Sequence, residues 1–262
     1  MKIIVCIKQV PDTEAKIKIA PDGRAIDDAE INYIINPYEE YAIEEGLRTK
    51  ESLGEGEVIL ISVGPERAST ALRSGLAMGA DRAIHINDPL LDENDPLLVA
   101  ALLSKAIQQE GYDLILCGVQ GVGTDHYQVG PILAELLGIP HVGVITKLQI
   151  SPDKAVAHRE IEGVSEVVET PLPALFTAQK GLNEPRYPSL KGIMMAKKKP
   201  LTVLNCQQLG LSEEEVKKLK GKAPIIKLEL PPMRPKGMVV EGEPSETVKQ
   251  LIEWLQKETA IL

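Results

Sequence analysis

Residues 113–131 read DLILCGVQGVGTDHYQVGP, and this stretch decides the predicted fold. It opens on a short apolar run, which is typical of a strand that is buried on both faces of a sheet. Gly118, Gly121 and Gly123 follow the run, and the sequence then predicts a helix over about residues 126–137. A buried strand, a glycine-containing loop and a helix in this order indicate one unit of a parallel α/β sheet.

The same alternation of strand and helix extends towards the start of the chain. Strands are predicted over residues 2–8, 57–63, 82–86 and 113–117, and helices over residues 38–53, about 65–79 and 95–110. Asn36 and Asp95 are predicted N-caps, and each is followed by a proline at the first position of the helix. The expected fold class is therefore α/β, a doubly wound, mostly parallel and Rossmann-like sheet with a C-terminal extension.

The pattern changes after residue 140, where shorter strands joined by polar turns are predicted. These strands cover residues 142–150, 155–161, 164–169 and 175–178, and a hairpin is predicted near the start of the chain with its turn at residues 21–23. A small helix is predicted over residues 190–196, and an amphipathic helix over residues 246–261. We expect a nucleotide-binding core over residues 1–200, which includes a partner-recognition loop at 182–199. Residues 201–262 are expected to form an extension that packs on a partner subunit.

Composition excludes several classes of protein. The 262 residues carry 29 Lys+Arg and 38 Asp+Glu, a net charge of −9, which argues against a nucleic-acid partner. No apolar run approaches the roughly 20 residues that span a bilayer, and no signal peptide is expected, so a cytoplasmic location without membrane insertion is predicted. Three distant cysteines and four histidines have no zinc or disulfide spacing, and no hydrolase motif occurs. We therefore expect no metal site and no catalytic residues.

The loop after residue 117 is the candidate binding site for a phosphate or pyrophosphate. Its glycines allow a ligand to approach the backbone, and free N–H groups at a helix start favour an anion. The spacing matches neither GxGxxG nor a Walker loop, and the loop holds no Lys or Arg. We expect backbone amides, the Thr124 hydroxyl and the Gln128 amide to hold the phosphate. Asp125 is assigned to helix capping or to a ribose hydroxyl, and the alternative is a plain loop with an Asp cap.

Other strand ends are predicted to face the same crevice. Residues 6–9 end the first strand, and Val63 with Gly64 ends the second. Asn36 is able to cap its helix and also to contact an adenine edge, with capping alone as the alternative. Together these segments predict one pocket for an adenine nucleotide.

Residues 182–190, LNEPRYPSL, indicate a second functional surface. Tyr187 and Leu190 are apolar anchors on a loop stiffened by two prolines, which is typical of a docking site. The alternative is an ordinary connection whose Leu190 packs in its own core. The lysines at residues 197–199 are expected to form a solvated face.

Five segments together identify a family. They are IVCIKQVPDT (4–13), INPYEEYAIEEGLRTKE (35–51), GLAMGADRAIHI (75–86), DLILCGVQGVGTDHYQVGP (113–131) and LNEPRYPSLKGIMMAKKK (182–199). The chain resembles the β subunits of electron transfer flavoproteins, including the FixA-like proteins, over nearly its whole length. This resemblance implies a heterodimer with an α subunit that carries the electron-transferring FAD. It also implies a carrier of electrons and not an enzyme in its own right.

The resemblance also assigns site residues, motif by motif. The implied nucleotide-binding residues are Cys6, Asn36, Pro37, Tyr38, Glu39, Val63, Cys117, Gly118, Val119, Gln120, Gly121, Val122, Gly123, Thr124, Asp125, His126, Tyr127 and Gln128. Leu190 matches a leucine that docks into a partner dehydrogenase, and Glu160 matches a glutamate that pairs with an arginine of the α subunit.

The nucleotide itself differs within the family. Simple members hold AMP in a structural role, and flavin-bifurcating members hold a second FAD, which takes a hydride from NADH. KQVPDT, NPYEEYA and QVGP resemble the bifurcating group, whereas residues 122–127 and the recognition loop depart from its pattern. FAD is the predicted cofactor and AMP the alternative. Dehydrogenases or a quinone oxidoreductase are the expected donors and acceptors. The alternative function is a nucleotide-binding sensor module, similar to stress proteins, without a redox role.

Overall fold

The computed structural model describes residues 1–221, 224–234 and 237–258. The strands are β1 Lys2–Cys6, β2 Gln9–Pro11, β3 Tyr33–Ile35, β4 Glu57–Val63, β5 Arg82–Ile86, β6 Leu114–Gly118, β7 His141–Ile150, β8 Lys154–Ile161, β9 Val164–Pro171, β10 Ala174–Ala178 and β11 Leu201–Leu204. The helices are α1 Pro37–Leu53, α2 Ala68–Met78, α3 Pro96–Glu110, α4 Val129–Leu137, α5 Leu190–Ala196, α6 Glu213–Leu219 and α7 Pro244–Glu258.

The main sheet has the order β11-β5-β4-β1-β6-β10-β7-β8-β9. Its strands pair in parallel from β11 to β7, and β8 and β9 extend it as an antiparallel hairpin. The predicted α/β fold class is therefore confirmed. The chain passes from β1 through β4 to β5 and then returns to β6 on the other side of β1. Strand order reverses between β1 and β6, which is where open sheets of this class bind ligands.

Two apolar layers cover the sheet because side chains alternate along each strand. In β1, Ile3 and Val5 face α1 and α2, whereas Ile4 and Cys6 face α3 and α4. The three isoleucine and valine side chains are fully buried. This explains why the strand is a continuous apolar run in the sequence and not an alternating one.

Several local predictions differ from the structure. Residues 9–11, for which no strand was predicted, form β2, which pairs antiparallel with β3 in a separate small sheet. The turn at residues 21–23 is present, and its hairpin is limited to a bridge between Ile19 and Ile26. The helix expected from residue 126 begins at Val129, because the φ angles of Asp125 (46°) and Tyr127 (57°) lie in the left-handed region.

The sheet and its helix layer continue beyond residue 200, where the core was expected to end. β11 and α6 were not predicted from the sequence; β11 pairs with β5, and Cys206, Leu209 and Val216 are buried in the α3–α4 layer. The domain division stays a prediction. α7 is amphipathic as predicted, with Val248 and Leu251 about half exposed, and its predicted end at residue 261 lies outside the described residues. Within the described ranges, no helix is long and apolar enough to cross a membrane.

Candidate functional site

A cleft opens between the carboxyl ends of β1 and β6, at the point where strand order reverses. We call it the switch-point cleft, and about 90 Å³ within it can hold the centre of a water-sized molecule. Its lining residues come from the ends of the central strands, the start of α1 and the loops before α3 and α4. They are Cys6, Ile7, Lys8, Glu39, Val63, Glu93, Asn94, Pro96, Val99, Leu103, Cys117, Gly118, Val119, Gln120, Gly121, Thr124, His126, Tyr127, Gln128, Val129 and Gly130.

Most of the residues assigned from the sequence meet in this cleft, although some do not line it. The exceptions are Asn36, Pro37, Tyr38, Val122, Gly123 and Asp125, which lie behind or beside the lining residues. The structure distinguishes the residues that line the cleft from those that do not, and nucleotide binding by either group stays a prediction.

The loop between β6 and α4 is compact and presents backbone donors. The N–H groups of Thr124 and Asp125 donate to the Gly121 carbonyl at 3.2 and 2.9 Å. In the part of the chain that the structure describes, the N–H groups of Gln120, Gly121 and Gly123 donate to no acceptor. Free N–H groups in a tight loop form a site for an anion.

Gly118 allows this loop to approach α1. A Cβ atom at this position would lie 2.9 Å from both Glu39 Cγ and Tyr38 Cβ, closer than real side chains pack. The first turn of α1 is thereby held directly against the end of β6. Pro37 and Tyr38 thus contribute to the cleft by shaping its support.

Asn36 does not cap α1, which corrects the prediction from the sequence. Its side chain makes no capping hydrogen bond and is fully buried. Instead, its Nδ2 donates to the Gln120 carbonyl at 2.7 Å, and the Val122 N–H donates to its Oδ1 at 3.1 Å. The loop lies beside the start of α1, so the amide reaches across and leaves the helix end uncapped. Both ends of the amide fix the loop, and a contact of Asn36 with an adenine edge stays a prediction.

Lys8 supplies the cation that the loop lacks, and the sequence reasoning did not single it out. Its Nζ lies 3.4 Å from Thr124 Oγ1. Burial lowers the pKa of Lys8, an effect that neighbouring carboxylates partly oppose. Among the described residues Lys8 forms no salt bridge, whereas the nearby Arg67 is paired with Glu93 at 2.5 Å. Its position directly after β1, within the segment predicted to face the crevice, was the available signal.

Glu39 lies next to Lys8, and its side chain accepts a hydrogen bond from the Lys8 backbone N–H. Burial raises the pKa of Glu39 to about 8, although hydrogen bonds from Lys8 and Asn36 and the charge of Lys8 act in the opposite direction. The carboxyl is therefore mostly protonated near pH 7. A neutral Glu39 leaves the charge of Lys8 available to an anionic ligand.

Asp125 does not cap α4, because that helix begins four residues later, at Val129, with Gln128 at its N-cap position and no side-chain cap. Asp125 Oδ1 accepts a hydrogen bond from Gln120 Nε2 at 2.9 Å. The expected contact with a ribose hydroxyl stays a prediction. Thr124 donates its hydroxyl to the Gly121 carbonyl at 3.1 Å and lies at the cleft wall, as does Gln128.

The candidate docking loop is fixed on α1 and exposes its apolar side chains. Arg186 forms hydrogen bonds of 2.6–3.1 Å with Glu44 and Glu51 of that helix. Tyr187 is 96% exposed and Leu190 84%, so the alternative in which Leu190 packs in its own core is wrong. Docking through Leu190 stays a prediction, as does the partner contact of Glu160, which is exposed on β8.

The predicted lysine face is only partly solvated. Lys199 Nζ donates to the carbonyls of Leu76, Gly79 and Ala80 at the end of α2, at 3.0, 3.2 and 2.5 Å. A cation at a helix C-terminus satisfies carbonyls that lack partners within the helix. Lys197 and Lys198 are exposed as expected.

Comparisons with known proteins agree with this architecture. A family model described as "Electron transfer flavoprotein domain" matches residues 24–209. The chain is 44% identical to "Electron transfer flavoprotein subunit beta" of Bacillus subtilis, over 100% of both chains. It is 40% identical to the protein of the same description from Syntrophomonas wolfei, over 98% of this chain and 96% of that one. The protein of that description from Megasphaera elsdenii is 36% identical, over 93% and 92%.

Proposed function

The chain belongs to the electron transfer flavoprotein family as a β subunit, and we propose that its switch-point cleft binds an adenine nucleotide. FAD is the proposed ligand, and AMP is the alternative for the same cleft. With an α subunit, the chain transfers electrons between a donor, such as NADH or a dehydrogenase, and acceptor proteins. In this role it is a carrier subunit and not an enzyme by itself.

One observation carries the proposal: backbone donors and a lysine converge at a strand-order reversal. Among the described residues, the N–H groups of Gln120 and Gly121 have no acceptor and the Lys8 amine forms no salt bridge; this amine lies beside them at Thr124. These donors favour a monophosphate or diphosphate. Part of the remaining lining, which includes Ile7, Val63 and Val99, is apolar and suits the rings of a nucleotide.

Nucleotide content tests this proposal directly. The full chain, produced in a heterologous host alone and with its α subunit, is denatured in acid and the supernatant is analysed. A yellow supernatant with flavin absorbance supports FAD, and a colourless one that absorbs like adenine supports AMP. In the heterodimer, the flavin carried by the α subunit is counted separately, so FAD in the cleft requires two flavins per heterodimer. A supernatant from the heterodimer without any nucleotide beyond that flavin contradicts both forms of the proposal.

The FAD form extends the proposal to flavin-based bifurcation. A second FAD in the cleft would supply two-electron chemistry with NADH, while this chain binds and orients it. The assay is NADH oxidation by the heterodimer with a high-potential and a low-potential acceptor present together. Reduction of both acceptors, each dependent on the other, supports bifurcation, and reduction of one acceptor alone limits the chain to simple electron transfer. The similarity to the B. subtilis relative extends over the whole chain, including the second half, and this argues against the sensor alternative.

A further inference from the structure

Two cysteine side chains lie next to each other on the floor of the switch-point cleft. β1 and β6 pair in parallel, with Val5 opposite Leu116, so the next residues, Cys6 and Cys117, are neighbours across the two strands. Both side chains point to the α3–α4 layer, and both line the cleft. Their exposed fractions are 6% and 4%. What little surface they expose is at the cleft floor, where a bound nucleotide would cover it.

The two thiols interact with each other, and the third cysteine is separate. The neighbouring Cys6 thiol, together with burial, raises the pKa of Cys117 well above its usual range. All three cysteines are free thiols. Cys206 is buried elsewhere, where its backbone N–H donates to Asp88 Oδ2 at 3.1 Å. It therefore serves as an internal control for the reactivity of a buried single thiol.

We propose that Cys6 and Cys117 form a dithiol site that binds a soft, thiophilic Lewis acid through both sulfurs, in competition with the nucleotide. The competition rests on the proposed function, whereas the dithiol site itself does not. The ligand class follows from the number of sulfurs. The described residues hold no group of three His, Cys, Asp or Glu side chains that would bind a metal ion. A trivalent arsenical with one carbon substituent fits this site. Its arsenic atom forms three bonds, one to the carbon substituent and two to the cysteine sulfurs.

Strand geometry favours a bridging atom over a disulfide. A disulfide requires Cβ atoms about 3.8 Å apart. Side chains on the same face of two neighbouring parallel strands project side by side. Their Cβ atoms are therefore separated by the strand spacing, about 4.8 Å, which is fixed at the centre of the sheet. An arsenic atom inserted between the sulfurs spans this separation without pulling the strands together.

The binding step is an exchange without oxidation or reduction. Hydrated phenylarsine oxide carries two hydroxyl groups on arsenic. Each thiol forms one As–S bond as one As–O bond breaks, and its proton leaves with the hydroxide as water. Two thiols therefore release two waters. The raised pKa of Cys117 slows this exchange, since the thiolate is the faster nucleophile, so the final stoichiometry is the quantity to measure.

The test uses the full chain, stripped of nucleotide and incubated with phenylarsine oxide. Intact-mass spectrometry is applied to the wild type and to C6S, C117S and C206S, with circular dichroism to verify folding. We expect one arsenical per chain in the wild type and in C206S, and none in C6S or C117S. An adduct that survives in either of the latter, or that is lost in C206S, overturns the dithiol site. In the wild type, peptide mapping under non-reducing conditions should join the peptides that contain Cys6 and Cys117, which tests the site even if a variant does not fold.

Competition is measured separately on the same protein. FAD or AMP, whichever acid extraction identifies, is added at about 100 times its Kd, which should slow labelling roughly 100-fold. Labelling at an unchanged rate overturns the competition. Acid extraction of nucleotide is independent of both labelling results, so a failure of the proposed function is distinguishable from a failure of this site.

Discussion

Asn36→Ala tests whether the nucleotide loop is held by a single amide at the start of α1. The substitution removes hydrogen bonds of 2.7 and 3.1 Å to the Gln120 carbonyl and the Val122 N–H. Each unsatisfied buried group costs about 1–3 kcal/mol. Water from the open cleft partly replaces the lost partners, so each of the two groups is expected to cost about 1–1.5 kcal/mol, in the lower part of that range. The expected loss of unfolding free energy is about 2–3 kcal/mol.

Asn36→Ser separates this role from helix capping. Serine is as good an N-cap as asparagine, so a capping role predicts that Asn36→Ser retains stability while alanine loses about 1 kcal/mol. Serine is too short to bridge to both loop groups. If Asn36 positions the loop, we therefore expect the serine and alanine variants to lose similar amounts of stability and of nucleotide.

The assay is urea unfolding of the nucleotide-free chain, followed by far-UV circular dichroism, together with nucleotide retention after gel filtration. Asn32→Ala is the matched control, because Asn32 makes one exposed hydrogen bond of 3.2 Å to Asp12, and its loss should cost less than about 0.5 kcal/mol. Wild-type stability in Asn36→Ser, or equal losses in the Asn32 and Asn36 alanine variants, would refute the reasoning.

Four further substitutions address the cleft and the docking loop. Lys8→Gln should weaken nucleotide binding roughly 10-fold, since it removes the charge beside Thr124, and unchanged affinity in isothermal titration would exclude the lysine from the phosphate site. Glu39→Gln should make the chain relatively more stable as pH rises from about 4.5 to 8. Over this interval the wild-type carboxyl ionises in the unfolded chain but stays protonated in the folded one, so wild-type stability falls with pH; parallel urea midpoints across pH 5–9 would contradict this. Asp125→Ala should loosen the nucleotide by freeing the Gln120 side chain, with an unchanged circular dichroism spectrum, and full retention would remove Asp125 from the site. Leu190→Ala should weaken transfer to an acceptor dehydrogenase by about 1–3 kcal/mol without changing nucleotide content, and unaltered acceptor kinetics would make the loop a simple connection.

The sequence by itself determined the class of sheet and most of its strands, and it indicated the loop after β6 as the candidate site. β4 and β5 occur with the predicted bounds, because strands buried on both faces are continuous apolar runs. Asp95 caps α3 as predicted, accepting from the N–H groups of Leu97 and Leu98, since a capping bond is local in the chain. The glycines after β6 located the loop for the same reason, as backbone freedom is a property of single residues.

Only the tertiary structure decided which residues act on that loop. Asn36 lies 84 residues from Gln120, and Lys8 lies 116 residues from Thr124. Local capping rules therefore assigned Asn36 to its own helix, and a search within the loop found no cation. β11 was not predicted either, because its four residues become a strand only through pairing with β5 at the sheet edge. Periodicity and caps act over a few residues, whereas these contacts arise only when the parallel strands align and their carboxyl ends meet at one edge.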